Sequence, residues 1–406
     1  MSAMQPLWSS PAVSGSQPAP GLDADALIWS AQAVSGAFAD LDPALERRFR
    51  ALVDWANTLP PMAAGRARKA EQQIRKLLAN RLRIAADRAR LPQIAEARIE
   101  RPIFVIGFPR TGTTLLHSLL AEDPDARAPL RWHTTEPSPP PGEVPVVAAR
   151  IERAGQDVDR MLDELPGLLT LHPYWDRRGL CPIEDEEIIT LDFHDAYPSL
   201  LYHVPGMPDA RNSGEGYGFH REFLQHLQWS QPSRRWVLKG VFHQFALDAL
   251  FEAYPDALCI WPHRDLTEVC PSLMALLATI YGGLTDWKID FRTMGPAFVD
   301  GVRQGLEASL ANPLIEDPRI VHVRFGDLTR DPAALIRRAY ETWGLSVSAE
   351  FERRMRAWLD DPANAPGRHG RYPYALKPFG LSQAHIENAF GPYHEHFGLV
   401  RPGTTR

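Results

Sequence analysis

Between Pro102-Ile103-Phe104-Val105-Ile106 and the periodic leucines Leu115, Leu116, Leu119 and Leu120 lies the octapeptide Gly107-Phe108-Pro109-Arg110-Thr111-Gly112-Thr113-Thr114. A β-branched and aromatic run, a glycine turn and a helical period beginning near Thr113 predict a strand, a tight loop and a helix in succession. That arrangement aims backbone N–H groups and the positive end of a helix at one point, which is a ready site for a phosphate-like anion. The glycine spacing matches the phosphate loop of nucleotide triphosphatases. Such a loop needs Gly-Lys-Ser/Thr, however, and Thr113 stands at the lysine position. The nearby cation is Arg110, whose planar fork suits a phosphate or sulfonate, while the missing lysine argues against metal-assisted γ-phosphoryl transfer. A small-molecule kinase of the phosphate-loop type is therefore the weaker alternative.

The rest of the chain supplies the sheet this loop requires. Further strands are expected at Trp236-Val237-Leu238, Ala257 to Trp261 and Ile320 to Phe325, separated by helices from about His243 to Tyr254, Thr267 to Tyr281 and Pro332 to Trp343. Alternating strands and helices of this length imply a parallel sheet covered on both faces. The expected fold is α/β, a P-loop-like three-layer fold with a central parallel sheet, a helical N-terminal extension and helical insertions. Residues 1–20, rich in Ser, Pro, Gly and Ala, read as a flexible lead. Residues 21–98 read as the helical extension, and residues 99–406 as the catalytic α/β domain with C-terminal helices. The proline-rich stretch from Pro137 to Val147 reads as a stiff extended loop. The run Glu184-Asp185-Glu186-Glu187 lacks a histidine at ligand spacing and is expected to be a solvated helix start, not a metal site. The aromatics Phe193, Tyr197, Tyr202, Tyr217, Phe219 and Trp229 are either core or the lining of an acceptor pocket.

Composition narrows the function classes. With 406 residues and 44% apolar content the chain can bury a large core, and a net charge of −6 without a basic arm excludes nucleic acid as the main partner. Any anion site is then local. The three cysteines, Cys181, Cys259 and Cys270, favour reduced thiols and a cytoplasmic location. The N-terminus lacks the basic and apolar segments of a secretory signal, and there is no uninterrupted apolar run long enough to span a membrane. The N-terminal helices either pack on the domain or form a homodimer contact.

A second anion site is expected at Trp261-Pro262-His263-Arg264-Asp265, at the end of a strand, with Ser272 two helical turns further on. Arg264 and Ser272 would hold a phosphate separate from the one at the first loop. The His-Arg-Asp triplet is not a protein-kinase catalytic loop, because Cys270 stands where that loop needs asparagine.

Taken in order, Pro109-Arg110-Thr111-Gly112-Thr113-Thr114, Trp236-Val237-Leu238-Lys239 with His243, and Arg264 with Ser272 resemble the nucleotide-binding signatures of sulfotransferases that use 3′-phosphoadenosine-5′-phosphosulfate (PAPS). The likeness is to the bacterial branch with a Pro-Arg-Ser/Thr-Gly-Thr-Thr loop, and it runs from about Arg101 to Phe397, where Phe379-Gly380-Leu381 and a final helix close the chain. It implies that Arg110, Thr111, Gly112, Thr113 and Thr114 bind the 5′-phosphosulfate, and Arg264 and Ser272 the 3′-phosphate. The Arg-x-Gly-x-x-Gly loop of animal enzymes is only echoed by Arg368-His369-Gly370-Arg371. The expected reaction carries a sulfuryl group from PAPS to a hydroxyl of a small-molecule or lipidic acceptor, leaving 3′-phosphoadenosine-5′-phosphate (PAP) and needing no metal. His243 is the first candidate for the general base, with His133 and Glu136 as alternatives, and Lys239 is placed to stabilise the leaving phosphate oxygen. A nucleotide-binding regulatory protein that has lost catalysis is the reading from a different class.

Overall fold

A computed structural model describes residues 8–9, 21–38, 40–60, 62–194, 214–231, 234–284, 288–370 and 372–399. Tyr197 and Tyr202 of the aromatic segment lie outside these residues. The strands are β1 (Trp8–Ser9), β2 (Ile103–Val105), β3 (Ala126–Arg127), β4 (Arg235–Lys239), β5 (Leu258–His263), β6 (Lys288–Ile289) and β7 (Ile320–Arg324). Five of them form one sheet in the order β3-β4-β2-β5-β7, and every pairing in it is parallel. The order places β2 at the centre, so the loop that follows it opens between β4 and β5. Edge strand β3 is the one sheet member that the sequence pattern leaves invisible, because two residues carry no period.

Alternation along β2 divides the core in two, as side chains of successive strand residues point to opposite faces. Ile103 and Val105 pack with Leu116, Leu119, Ile336 and Tyr340 on one face. Phe104 packs on the other face with residues of the three N-terminal helices α1 (Ala24–Ser35), α2 (Pro43–Asn57) and α3 (Ala64–Arg90), including Leu27, Phe49 and Leu78. These helices start where caps allow it. The Asp23 and Asp42 carboxylates accept the first free N–H groups of α1 and α2, and Pro43 sits in the first turn of α2. Residues 21–98 thus share the core of the sheet. Within the lead, Trp8 and Ser9 pair antiparallel with Ile289 and Lys288, so part of a segment expected to be flexible takes up strand structure.

A third apolar cluster joins the helix Leu266–Leu284 to the helices Phe291–Ala311 and Gln383–His396. Its stretch Leu266–Gly283 has the length and mean hydropathy, 1.2, of a membrane-crossing segment. It is nevertheless a core helix, packing Val269, Leu273 and Met274 against Phe390 and Tyr393. Buried Cys181, Cys259 and Cys270 are free thiols.

Candidate active site

The loop after β2 leads directly into helix α4 (Thr113–Leu120), and no side chain caps the N–H groups at the start of that helix. Its geometry requires glycine at two points. Gly112 has φ +98°, and a Cβ there would lie 2.6 Å from Leu328 Cδ2; Gly107 has φ +117°, and a Cβ there would meet Trp261 Cδ1 at 2.8 Å. Arg110 also takes a left-handed φ, +71°, which for a residue with a Cβ costs on the order of 1 kcal/mol. Surrounding bonds hold it there. Its Nε donates to Ser272 Oγ at 2.9 Å, its Nη1 to the Leu171 carbonyl at 2.6 Å, and its own carbonyl accepts from Arg264 Nη1 at 3.1 Å. Arg264 in turn lies over the Phe325 ring, 4.1 Å from the centroid, and donates to Glu268. Arg110, Arg264 and Ser272 are therefore hydrogen-bonded into one connected group at the mouth of the loop.

Lys239 ends β4, 2% exposed, with its ammonium 2.5 Å from Glu184 Oε1 and 3.5 Å from Thr114 Oγ1. Here the structure corrects the reading of the acidic run. Glu184, Asp185, Glu186 and Glu187 are buried, because the run crosses the end of β4 instead of facing water. The Asp185 N–H donates to the Lys239 carbonyl at 2.7 Å, and the Val241 N–H donates to Glu186 Oε1 at 2.8 Å. The apolar residues on both sides of the run, Cys181, Ile183, Ile188 and Ile189, were the available signal for this burial.

His243 is fully buried and both of its ring nitrogens are engaged. Nε2 faces Asp185 Oδ2 at 2.8 Å and Nδ1 faces the Tyr217 hydroxyl at 2.8 Å. A carboxylate accepts only, so Nε2 carries the proton and Nδ1 accepts from the hydroxyl. Burial lowers the imidazole below its usual pKa, against the pull of Asp185. Burial works against ionisation of Asp185 too, but His220 and His243 outweigh it and hold the carboxyl at about 2.

The two alternative bases lie elsewhere. His133 Nδ1 accepts the Leu130 N–H at 2.9 Å, closing the first turn of the helix Arg131–Thr135, and burial followed by Arg127 pushes its pKa down to about 3. Glu136 receives both arms of Arg153, at 2.5 and 2.6 Å. Among the described residues neither side chain contacts the Arg110 group or Lys239.

A residue that the sequence did not single out does reach this group. His172 follows Leu171, the residue whose carbonyl binds Arg110, and its Nδ1 lies 2.8 Å from the Tyr174 hydroxyl, which is 3.4 Å from Glu184 Oε1. His172 also lines a cavity of about 600 Å³ whose walls include Leu165, Leu168, Trp175, Leu276 and Ile280. Helix α3 contributes Ala70, Lys69 and Lys76, and the two lysines pair with Glu164 and Asp157 at the rim. The cavity is thus lined by both apolar and charged side chains, and His172 joins it to the segment that holds Arg110. Among the described residues no cluster of three or more His, Cys, Asp or Glu side chains could hold a metal ion.

A family model described as the sulfotransferase family matches residues 102–349. Omega-hydroxy-beta-dihydromenaquinone-9 sulfotransferase Stf3 of Mycobacterium bovis is 28% identical over 298 residues, covering 67% of this chain and 70% of its own length; Stf3 of Mycobacterium tuberculosis gives the same values. Among solved structures, sulfotransferase STF9 of Mycobacterium avium superposes with a TM-score of 0.76 at 26% identity, covering 93% of this chain and 97% of its own. Sulfotransferase STF1 of Mycobacterium tuberculosis H37Rv gives 0.75 at 27%, covering 91% and 99%.

Proposed function

Because the chain belongs to the sulfotransferase family, we propose that it moves a sulfuryl group from PAPS to a hydroxyl on a lipidic acceptor. The observation that carries this reading is at Leu171-His172, where the Leu171 carbonyl holds Arg110 and the adjacent His172 lines a cavity of about 600 Å³ with apolar and charged walls. The Stf3 relatives are named for a hydroxylated menaquinone, and the apolar part of the cavity wall, Leu165, Leu168, Trp175, Leu276 and Ile280, supports a similar acceptor here.

The residues fit a phosphosulfate. The uncapped start of α4 and the Lys239 ammonium, 3.5 Å from Thr114 Oγ1, support this reading, and Thr111 Oγ1 braces the turn by donating to the Phe108 carbonyl at 2.7 Å. When bound, PAPS supplies an activated sulfuryl group on a phosphate leaving group. Arg110 and the free N–H groups hold its 5′ end, and Lys239 neutralises charge gathering on the phosphate oxygen. Arg264 and Ser272 bind the 3′-phosphate, with Phe325 fixing the guanidinium plane. Transfer needs positioning and charge stabilisation more than covalent chemistry. The buried free thiols Cys181, Cys259 and Cys270 support a reducing, cytoplasmic setting.

Isothermal titration with PAP, in parallel with ATP and Mg²⁺, tests the nucleotide. Metal-independent PAP binding supports the reading, and ATP–Mg²⁺ binding without a response to PAP overturns it in favour of a kinase. Turnover of PAPS with primary alcohols of increasing chain length tests the acceptor. A kcat/KM that rises with chain length supports a lipidic acceptor, whereas one that is flat or falls refutes it. PAP binding with no turnover on any acceptor favours a regulatory protein.

A further inference from the structure

The general base must be a lone pair that an acceptor hydroxyl can reach from the cavity, in hydrogen-bond contact with the incoming oxygen. His243 offers none: both ring nitrogens are bonded and the ring is fully enclosed. His172 is arranged differently. The Tyr174 hydroxyl has one proton, and it is assigned to the Glu184 carboxylate, 3.4 Å away, which can only accept. The same hydroxyl oxygen then accepts from His172 Nδ1–H. Nε2 is left as the unprotonated nitrogen, and among the described residues it has no protein partner, on a side chain that lines the cavity.

We propose that His172 Nε2 is the general base of sulfuryl transfer, with Tyr174 and Glu184 fixing its tautomer, and that His243 is a buried structural member of the Asp185–Tyr217 network. This proposal rests on the sulfotransferase reading. In the step, the acceptor O–H proton passes to His172 Nε2 as the acceptor oxygen forms its bond to sulfur. The bond between sulfur and the bridging phosphate oxygen breaks, and its electron pair stays on that oxygen beside Lys239. The imidazolium returns its proton to water after product leaves.

Charges around the ring set its ionisation. Burial and then Arg110, together with Lys239, lower His172 to about 3, while Glu184 opposes them. An anionic nucleotide on Arg110 and Lys239 offsets two of the lowering influences and so raises the imidazole, while burial, the largest influence, remains.

The test combines His172→Ala and His172→Gln with titration of PAP, steady-state turnover of PAPS with a long-chain primary alcohol, and chemical rescue by free imidazole. Expected are a kcat lowered on the order of 10²- to 10⁴-fold, PAP affinity within twofold of wild type, loss of the acid limb of the pH–rate profile, and partial recovery of the Ala variant by imidazole. In wild type, the ¹H–¹⁵N signal of His172 should titrate at higher pH with PAP bound than without. Wild-type kcat with an unchanged pH profile in a folded His172→Gln variant overturns the proposal. Wild-type protein that binds no PAP overturns the parent reading as well, and that failure appears in the titration before any variant is made.

Discussion

Replacing Lys239 with methionine removes a cation from a place that water hardly reaches. The side chains of Lys239 and Glu184 are 3% and 9% exposed and their charged atoms are 2.5 Å apart, so the surface ion-pair range of about 0–1 kcal/mol does not apply. Breaking a buried pair by removing one partner costs about 3–5 kcal/mol, because the remaining charge is stranded in a poor solvent. Glu184 keeps the Tyr174 hydroxyl at 3.4 Å, a long bond that cannot replace an ammonium. Lys239→Met should therefore lose about 3–5 kcal/mol in urea denaturation at pH 7, and part of the loss should return as pH falls and Glu184 takes up a proton. Glu184→Gln on the same background should recover most of the stability without recovering turnover, since no charge is left to meet the leaving oxygen. The double-mutant cycle then separates the pair's structural coupling from its catalytic use. A Lys239→Met loss below about 1 kcal/mol, the surface range, would show that water solvates Glu184 and would refute the burial argument.

Arg264→Ala should weaken PAP binding by about 2–3 kcal/mol, as it removes charge-assisted contacts; unchanged affinity in a calorimetric titration would remove Arg264 from the 3′-phosphate site. The Asp185 carboxyl is held at about 2, below its ordinary 3.8, so it contributes stability above pH 4 that disappears as pH falls toward 2. By linkage that contribution is about 2 kcal/mol. Asp185→Asn should be less stable at neutral pH and show a flatter acid unfolding curve, and an acid branch that matches wild type would contradict the assignment. Glu136→Ala should leave kcat within about twofold and cost less than about 1 kcal/mol of stability, because its carboxylate is committed to Arg153 in a half-exposed pair; a collapse of kcat would restore it as a candidate base.

How far the sequence reached depends on whether the information is local. The strand, glycine loop and helix from Ile103 to Leu120 are coded by neighbours in the chain, since glycine is the one residue free to take the φ of Gly112 and the N–H groups of a helix start have no partner within the helix. The parallel sheet followed from the alternation of strands and helices. Burial of Glu184 to Glu187 was not legible in this way. An acidic run reads as solvated until it is known that β4 ends beneath it and offers Lys239, the Lys239 carbonyl and the Val241 N–H as partners.

The roles of the histidines divide along the same line. Sequence order put His243 just after Lys239 and made it the natural base, and it gave His172 no distinguishing neighbour. Whether an imidazole keeps a free lone pair depends on which groups surround it in space. Tyr217 and Asp185, 26 and 58 residues from His243, occupy both of its nitrogens. Tyr174 orients His172 locally, but the cavity that gives its Nε2 access is assembled from helix α3, the helix Ala148–Glu164 and the helix Leu266–Leu284, far apart in the chain. The sequence by itself determined the glycine loop between strand and helix and the kind of sheet that carries it, because both are set by short-range backbone preference and periodicity. Only the tertiary structure decided which charges are desolvated, which imidazole nitrogens are bonded and which side chains line the cavity beside His172, because burial and hydrogen bonding across the core join residues that the chain keeps apart.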